Sequence, residues 1–152
     1  MIVVLDCSVV VPWLFEEEHE PFVDSLYREY RGDALIAAAP LLLRSEVANV
    51  AWKKVRRGEA GRDAALRLLR DFLMLPIDHA GSAQLFEPAL RIALDTGVTV
   101  YDAHYLAMAR VRGAALASQD ARLLAVARDL NIAQYTGTQA PSGGGRRKGR
   151  RT

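Results

Sequence analysis

Residues 2–5, Ile-Val-Val-Leu, are a short run of large, mostly β-branched side chains, and Asp6 ends it abruptly. A run of this kind without alternation suits a strand covered on both faces, the usual state in the middle of a parallel sheet. A carboxylate placed where such a strand runs out lies at the carboxyl edge of the sheet, where open α/β folds bind ligands. Cys7 and Ser8 follow, so Asp6 or Ser8 can equally serve only as the cap of a following helix.

Helical spacing recurs along the rest of the chain. Helices are predicted over 8–15, 21–30, 40–57, 62–73, 99–112 and 119–130, several of them stopped by glycine (Gly32, Gly58, Gly113). Residues 62–73 show the clearest amphipathic pattern, with Ala65, Leu66, Leu69, Phe72 and Leu73 on one stripe and arginines on the other. A further helix over 81–95 should be split or kinked by Pro88. Strands are expected over 35–38, 75–77, 114–117 and 132–135. Strands alternating with helices imply an α/β fold, a parallel sheet with helices on both faces. Residues 1–136 suffice for one domain with a core, whereas 137–152 are mostly Gly and Arg with nothing sizeable to bury, as expected of a disordered basic tail.

The formal charge of +2 is misleading. Arg146, Arg147, Lys148, Arg150 and Arg151 supply five positives with no acid among them, and removing those five from +2 leaves the rest at −3. Bulk charge therefore does not mark a basic nucleic-acid-binding domain; a nucleic acid must be met by a local patch or by the tail. The dense basic cluster of the body is Lys53, Lys54, Arg56 and Arg57. It suits either an RNA backbone or the C-terminal dipole of an exposed helix end. Cys7 is the single cysteine, which rules out an internal disulfide or a multi-cysteine metal site. Together with the lack of a signal peptide or a long apolar span, that points to a cytoplasmic protein without a membrane segment.

Three more carboxylates share the position of Asp6. Glu46 lies early in the predicted 40–57 helix inside an apolar stretch, with Asn49 three residues on; it can also be an ordinary solvent-facing Glu. Asp102 follows Thr99 in the spacing of a capping box. Asp120 comes after the 114–117 strand through Ser118 and Gln119, repeating the arrangement at Asp6, and a helix cap accounts for it equally well. Two acids ending neighbouring strands and two beginning helices on the same edge can share one cleft. Clustered carboxylates raise one another's pKa unless a cation neutralises them. Mg²⁺ or Mn²⁺ is suited to the task, and such an ion assists phosphodiester cleavage.

The chain resembles the PIN-domain ribonucleases, and among them the VapC-type toxins of type II toxin–antitoxin pairs, over about residues 1–135. The resemblance rests on Val4-Leu5-Asp6-Cys7-Ser8, on Ser45-Glu46-Val47-Ala48-Asn49, on Tyr101-Asp102-Ala103-His104-Tyr105-Leu106-Ala107-Met108-Ala109, and on Ala117-Ser118-Gln119-Asp120-Ala121-Arg122-Leu123. It implies a three-layer α/β/α sandwich with a central parallel sheet and a Mg²⁺ or Mn²⁺ site at Asp6, Glu46, Asp102 and Asp120, with Ser8 and Ser118 supporting it. It implies cleavage of single-stranded RNA, a homodimer, and silencing by a cognate antitoxin protein. Pro88 and the Gly/Arg tail depart from the pattern.

Other residues carry weaker signals. His19, His79 and His104 are too dispersed for a zinc site, and His104 is about 200° round its helix from Asp102. Val9 to Val11 with Trp13, Leu14 and Phe15 offer core surface or a groove for an antitoxin segment. Two alternatives to the nuclease remain: a catalytically silent RNA- or partner-binding module, and an aspartyl-phosphate phosphatase. The phosphatase wants a second Asp where Ser8 stands.

Overall fold

The computed structural model describes residues 1–137. Strand β1 (Ile2–Leu5) is central, pairing in parallel with β2 (Ile36–Ala38) on one side and β3 (Ala115–Ala117) on the other. Val3, Val4 and Leu5 are all fully buried although successive side chains point to opposite faces, so both faces are covered. The predicted parallel sheet between helical layers is the fold observed.

The outer strands expected over 75–77 and 132–135 shrink to single bridges, Ala38 with Asp78 and Leu116 with Gln134. Pro76 has no N–H to offer a ladder, and pairing next to it is limited to Asp78 N–H to Ala37 O at 2.8 Å and Ala39 N–H to Asp78 O at 3.0 Å. Counting the bridges, the spatial order reverses between β1 and β3. That reversal is where a parallel sheet opens a crevice at its carboxyl end.

The helices are α1 (Cys7–Leu14), α2 (Pro21–Arg31), α3 (Leu42–Arg56), α4 (Arg62–Leu73), α5 (Phe86–Thr96), α6 (Val100–Arg112) and α7 (Ala121–Asp129). Helix α6 is buried continuously from Ala103 to Ala109 and rests on β1 and β3. Five of those seven residues are alanine, leucine or methionine, so a helix apolar nearly all round fits the middle of the molecule. Both ends of the helix meet solvent, and Asp102 sits in the first turn.

Pro88 does not split a helix. A 3₁₀ turn, Ser82–Gln84, ends at Leu85, and Pro88 falls in the first turn of α5, where its missing N–H would have had no helical acceptor. Val9, Val10 and Val11 are core, and Trp13 stacks on Tyr30 with ring centroids 5.4 Å apart. The apolar face of α1 is thus occupied, and the reading of it as an antitoxin groove is corrected. No helix among the described residues is long and apolar enough to cross a membrane. The predicted basic tail, beyond its first residue, lies outside the described residues.

Candidate active site

Asp6 is the N-cap of α1: its Oδ1 accepts the Ser8 N–H at 2.9 Å. The carboxylate does more than cap. Ser8 Oγ donates to Oδ1 at 2.6 Å and Ser118 Oγ donates to Oδ2 at 2.5 Å. Both hydroxyls are themselves aimed, because Gln119 N–H donates to Ser8 Oγ at 2.7 Å and Asp120 N–H to Ser118 Oγ at 2.9 Å. The β3–α7 turn therefore holds both oxygens of an acid 112 residues away in sequence.

Asp6 is only 6 % exposed. Burial pushes its carboxyl up to about 6 against the lowering effect of the Ser118 and Ser8 hydrogen bonds. Glu46, on α3 and half-buried, is pushed up to about 7, again mainly by burial. The Tyr105 hydroxyl, donating to Glu46 Oε2 at 3.2 Å, opposes that rise, while the charges of Asp6 and Asp102 add to it. Asp6, Glu46 and Asp102 thus share one electrostatic neighbourhood at the carboxyl end of the sheet.

Asp102 sits in the first turn of α6, its backbone N–H bonded to Thr99 Oγ1 at 3.1 Å. The reciprocal half of a capping box is missing: among the described residues its carboxylate accepts no hydrogen bond. Asp120 is a true cap, its Oδ1 accepting from Arg122 N–H at 2.9 Å and Leu123 N–H at 3.1 Å. It joins Asp6 through its backbone and Ser118, and it is more exposed than the other three acids.

Among the described residues none of these four acids ion-pairs with a Lys, Arg or His. Hard oxygen donors with no protein cation beside them, Asp6 and Glu46 raised mainly by burial, fit a divalent cation. No three His, Cys, Asp or Glu among the described residues are grouped closely enough to cage a metal. That donor set matches Mg²⁺, which takes one or two carboxylates and keeps its waters, better than a metal needing an all-protein cage.

Cys7 is no nucleophile: burial, with Glu46, Asp6 and Glu17 adding, pushes its thiol up to about 12. The three histidines are apart, each with its own partner. His19 meets Asp24, His79 meets the Ala39 carbonyl, and His104 meets the Val100 carbonyl. The basic cluster divides. Lys53, Lys54 and Arg57 wall a cavity of about 450 Å³ that also reaches Cys7, Ser8 and Gln119, whereas Arg56 lies over the Trp52 ring, 5.7 Å from its centroid.

Two contributors carry no spacing signal in the sequence. Tyr105 reaches Glu46 across 59 positions. Gln119 Nε2 donates to the Ser8 carbonyl at 2.6 Å, and its Oε1 accepts from Glu20 N–H at 2.7 Å. A hint of the second lies in Pro12: a proline inside a helix leaves the carbonyl four residues back without a donor.

A family profile described as PIN domain matches residues 3–129. Ribonuclease VapC3 of Pyrobaculum aerophilum is 39% identical over 80 residues, which is 51% of this chain and 61% of the relative. Exonuclease VapC9 of the same organism is 36% identical over 87 residues, 53% of this chain and 59% of the relative. The chain thus spans about three-fifths of the length of these curated relatives. The crystal structure of PAE2754 from Pyrobaculum aerophilum matches with a TM-score of 0.63 at 27% identity, covering 83% of this chain and 87% of that one. With the matched segment running from the first strand to the last helix, the chain belongs to the PIN domain family.

Proposed function

We propose that this chain is a divalent-metal-dependent endoribonuclease that cleaves single-stranded RNA as the toxin of a VapC-type toxin–antitoxin pair. The observation that carries this reading is the trio Asp6, Glu46 and Asp102, without an ion pair among the described residues, near a cavity whose lining sets Lys53, Lys54 and Arg57 among Glu17, Glu18 and Glu59. Opposite charges side by side suit a substrate whose anionic backbone is held by cations while a metal meets the scissile group.

Asp6 and Asp102 would hold the ion, Mg²⁺ or Mn²⁺, with Glu46 completing the site, and Asp120 would serve the outer shell through Oδ2, the oxygen not used in capping α7. When bound, the ion supplies activation of water and charge stabilisation at the phosphodiester. Ser8 and Ser118 fix the orientation of Asp6. Glu46 takes up a proton at Oε1, the oxygen that Tyr105 leaves free. Residues 1–136 form the nuclease unit, and the basic residues of 137–152 add sequence-independent RNA affinity by counterion release.

The partners follow the same reading. A homodimer is supported by Phe86, Leu90 and Leu94, which repeat every fourth residue along α5 and remain exposed. An antitoxin segment is supported by an apolar groove of about 330 Å³ between α3 and α4, lined by Trp52, Val55, Leu66 and Leu69. The protein acts in the cytoplasm, where Cys7 stays reduced.

The test is cleavage of a circular single-stranded RNA by the purified chain with and without Mg²⁺. Linearisation that needs the ion and is lost in Asp102→Asn supports the proposal; an exonuclease would leave the circle closed. Binding without any metal-dependent cleavage favours the silent module instead. Growth arrest on expression of the chain alone, relieved by a small protein encoded immediately upstream, tests the toxin role.

A further inference from the structure

The cavity beside Ser8 holds an ion pair that neither the metal site nor the core requires. Lys54 Nζ lies 2.6 Å from Glu17 Oε1 and 3.5 Å from Glu59 Oε2, and 5.1 Å from the centroid of the Phe15 ring. Glu17 comes from the loop between α1 and α2, whose far end is tied to the active-site turn by the Glu20 N–H to Gln119 Oε1 bond. Lys53 and Arg57 line the same cavity, and among the described residues neither has an ion pair. The lining therefore carries two unengaged cations and one that is engaged by two acids of the chain itself, Glu17 closely and Glu59 more loosely, with Glu18 beside them.

We propose that this cavity is a subsite for the RNA backbone and that Glu17 is its internal competitor, occupying Lys54 in place of a phosphate until RNA displaces it. The inference rests on the ribonuclease reading and deepens it. Lysine binds phosphate as a point charge and needs no fixed fork, so a carboxylate and a phosphate oxygen can exchange on one ammonium group. Glu17 is 42% exposed at its side chain, and a pair of that kind is weakly held. A phosphodiester arriving there also gains Lys53 and Arg57, which Glu17 alone cannot engage together. The loop thus sets a threshold: single contacts fail against Glu17, and a strand that spans the cavity succeeds.

The experiment is fluorescence anisotropy with a short labelled single-stranded RNA of mixed sequence, in EDTA so that no cleavage intrudes. Glu17→Gln should bind about fivefold more tightly than the wild type, because one competing charge is gone. Lys54→Gln should bind more weakly, and the Glu17→Gln gain should vanish in the double variant. Glu17→Ala should repeat the gain. Wild-type affinity in Glu17→Gln, or an equal gain with Lys54 absent, overturns the inference while leaving the ribonuclease reading standing. No RNA binding by any of the proteins overturns both.

Discussion

The backbone carbonyl of Ser8 accepts its hydrogen bond from Gln119 Nε2 at 2.6 Å, where α1 itself has no donor because residue 12 is proline. The same glutamine aims the Ser8 hydroxyl through its backbone N–H and ties down Glu20 through its side-chain oxygen. Gln119→Ala should therefore cost about 1–3 kcal/mol, the penalty for stranding a part-buried carbonyl. Urea unfolding measures it, and an unchanged midpoint would show that the clamp contributes nothing.

Asp102→Asn is the cleanest probe of the metal site. Its carboxylate accepts no hydrogen bond among the described residues, so the amide disturbs no contact. Cleavage of single-stranded RNA should fall at least about a hundredfold with the thermal midpoint unchanged or raised. Asp6→Asn should be as inactive but less well behaved, since Ser118 Oγ would then face an amide N–H₂ instead of a carboxylate oxygen. Turnover at the wild-type level in either variant would remove these residues from the reaction.

The raised carboxyls make a signed prediction about pH. Asp6 at about 6 and Glu46 at about 7 hold more protons in the folded chain than in the unfolded one, where their ordinary values are 3.8 and 4.5. Their contribution to stability is complete below about pH 4 and is lost as pH rises towards 7. In EDTA, Glu46→Gln should thus stabilise the protein at pH 8 by about 1–2 kcal/mol, discounted for a half-buried site, and much less at pH 5. Mg²⁺ should recover part of the same deficit in the wild type at pH 8. Thermal melts at the two pH values decide it; a larger benefit at pH 5 would contradict the sign.

Tyr105→Phe removes the hydroxyl that donates to Glu46 Oε2 while keeping the buried ring. Metal-dependent cleavage should drop about tenfold, the low end for loss of a group behind a ligand. Stability should move by less than about 1 kcal/mol, since the acceptor is half open to water. A Mg²⁺ titration of cleavage would locate the loss in the ion requirement, and an unaltered titration curve would refute the role.

Leu94→Glu, on the exposed stripe of α5, should convert a dimer into a monomer without harming the fold, because the side chain lies at the surface. Sedimentation velocity reads the change. A wild type that is already monomeric at working concentrations would refute the proposed homodimer.

Much of the fold, and the acids of the candidate site, were legible from local pattern. The apolar run before Asp6 identified the central strand, and residues 62–73 form the helix their periodicity predicts. Asp6, Glu46 and Asp102 could be singled out because each is a carboxylate at the edge of an apolar stretch. The outer strands were not legible in extent, since a short apolar run says nothing about how many of its N–H groups find partners. Pro88 misled because no capping side chain marks where the helix begins, its N-cap being Leu85. Tyr105 with Glu46, Gln119 with Ser8 and Lys54 with Glu17 join residues 59, 111 and 37 positions apart by number. No periodicity encodes such pairs; they exist only once the layers have packed.

The long reach from Ser118 to Asp6 has a consequence for synthesis. A nascent chain leaving the ribosome displays Asp6 and Glu46 well before the β3–α7 turn is made, and Asp102 shortly before it. Until that turn arrives, the first of these acids lacks the Ser118 hydroxyl and the backbone that aims its Ser8 partner. A chain cut short before residue 118 therefore lacks the hydroxyl that holds the second oxygen of Asp6.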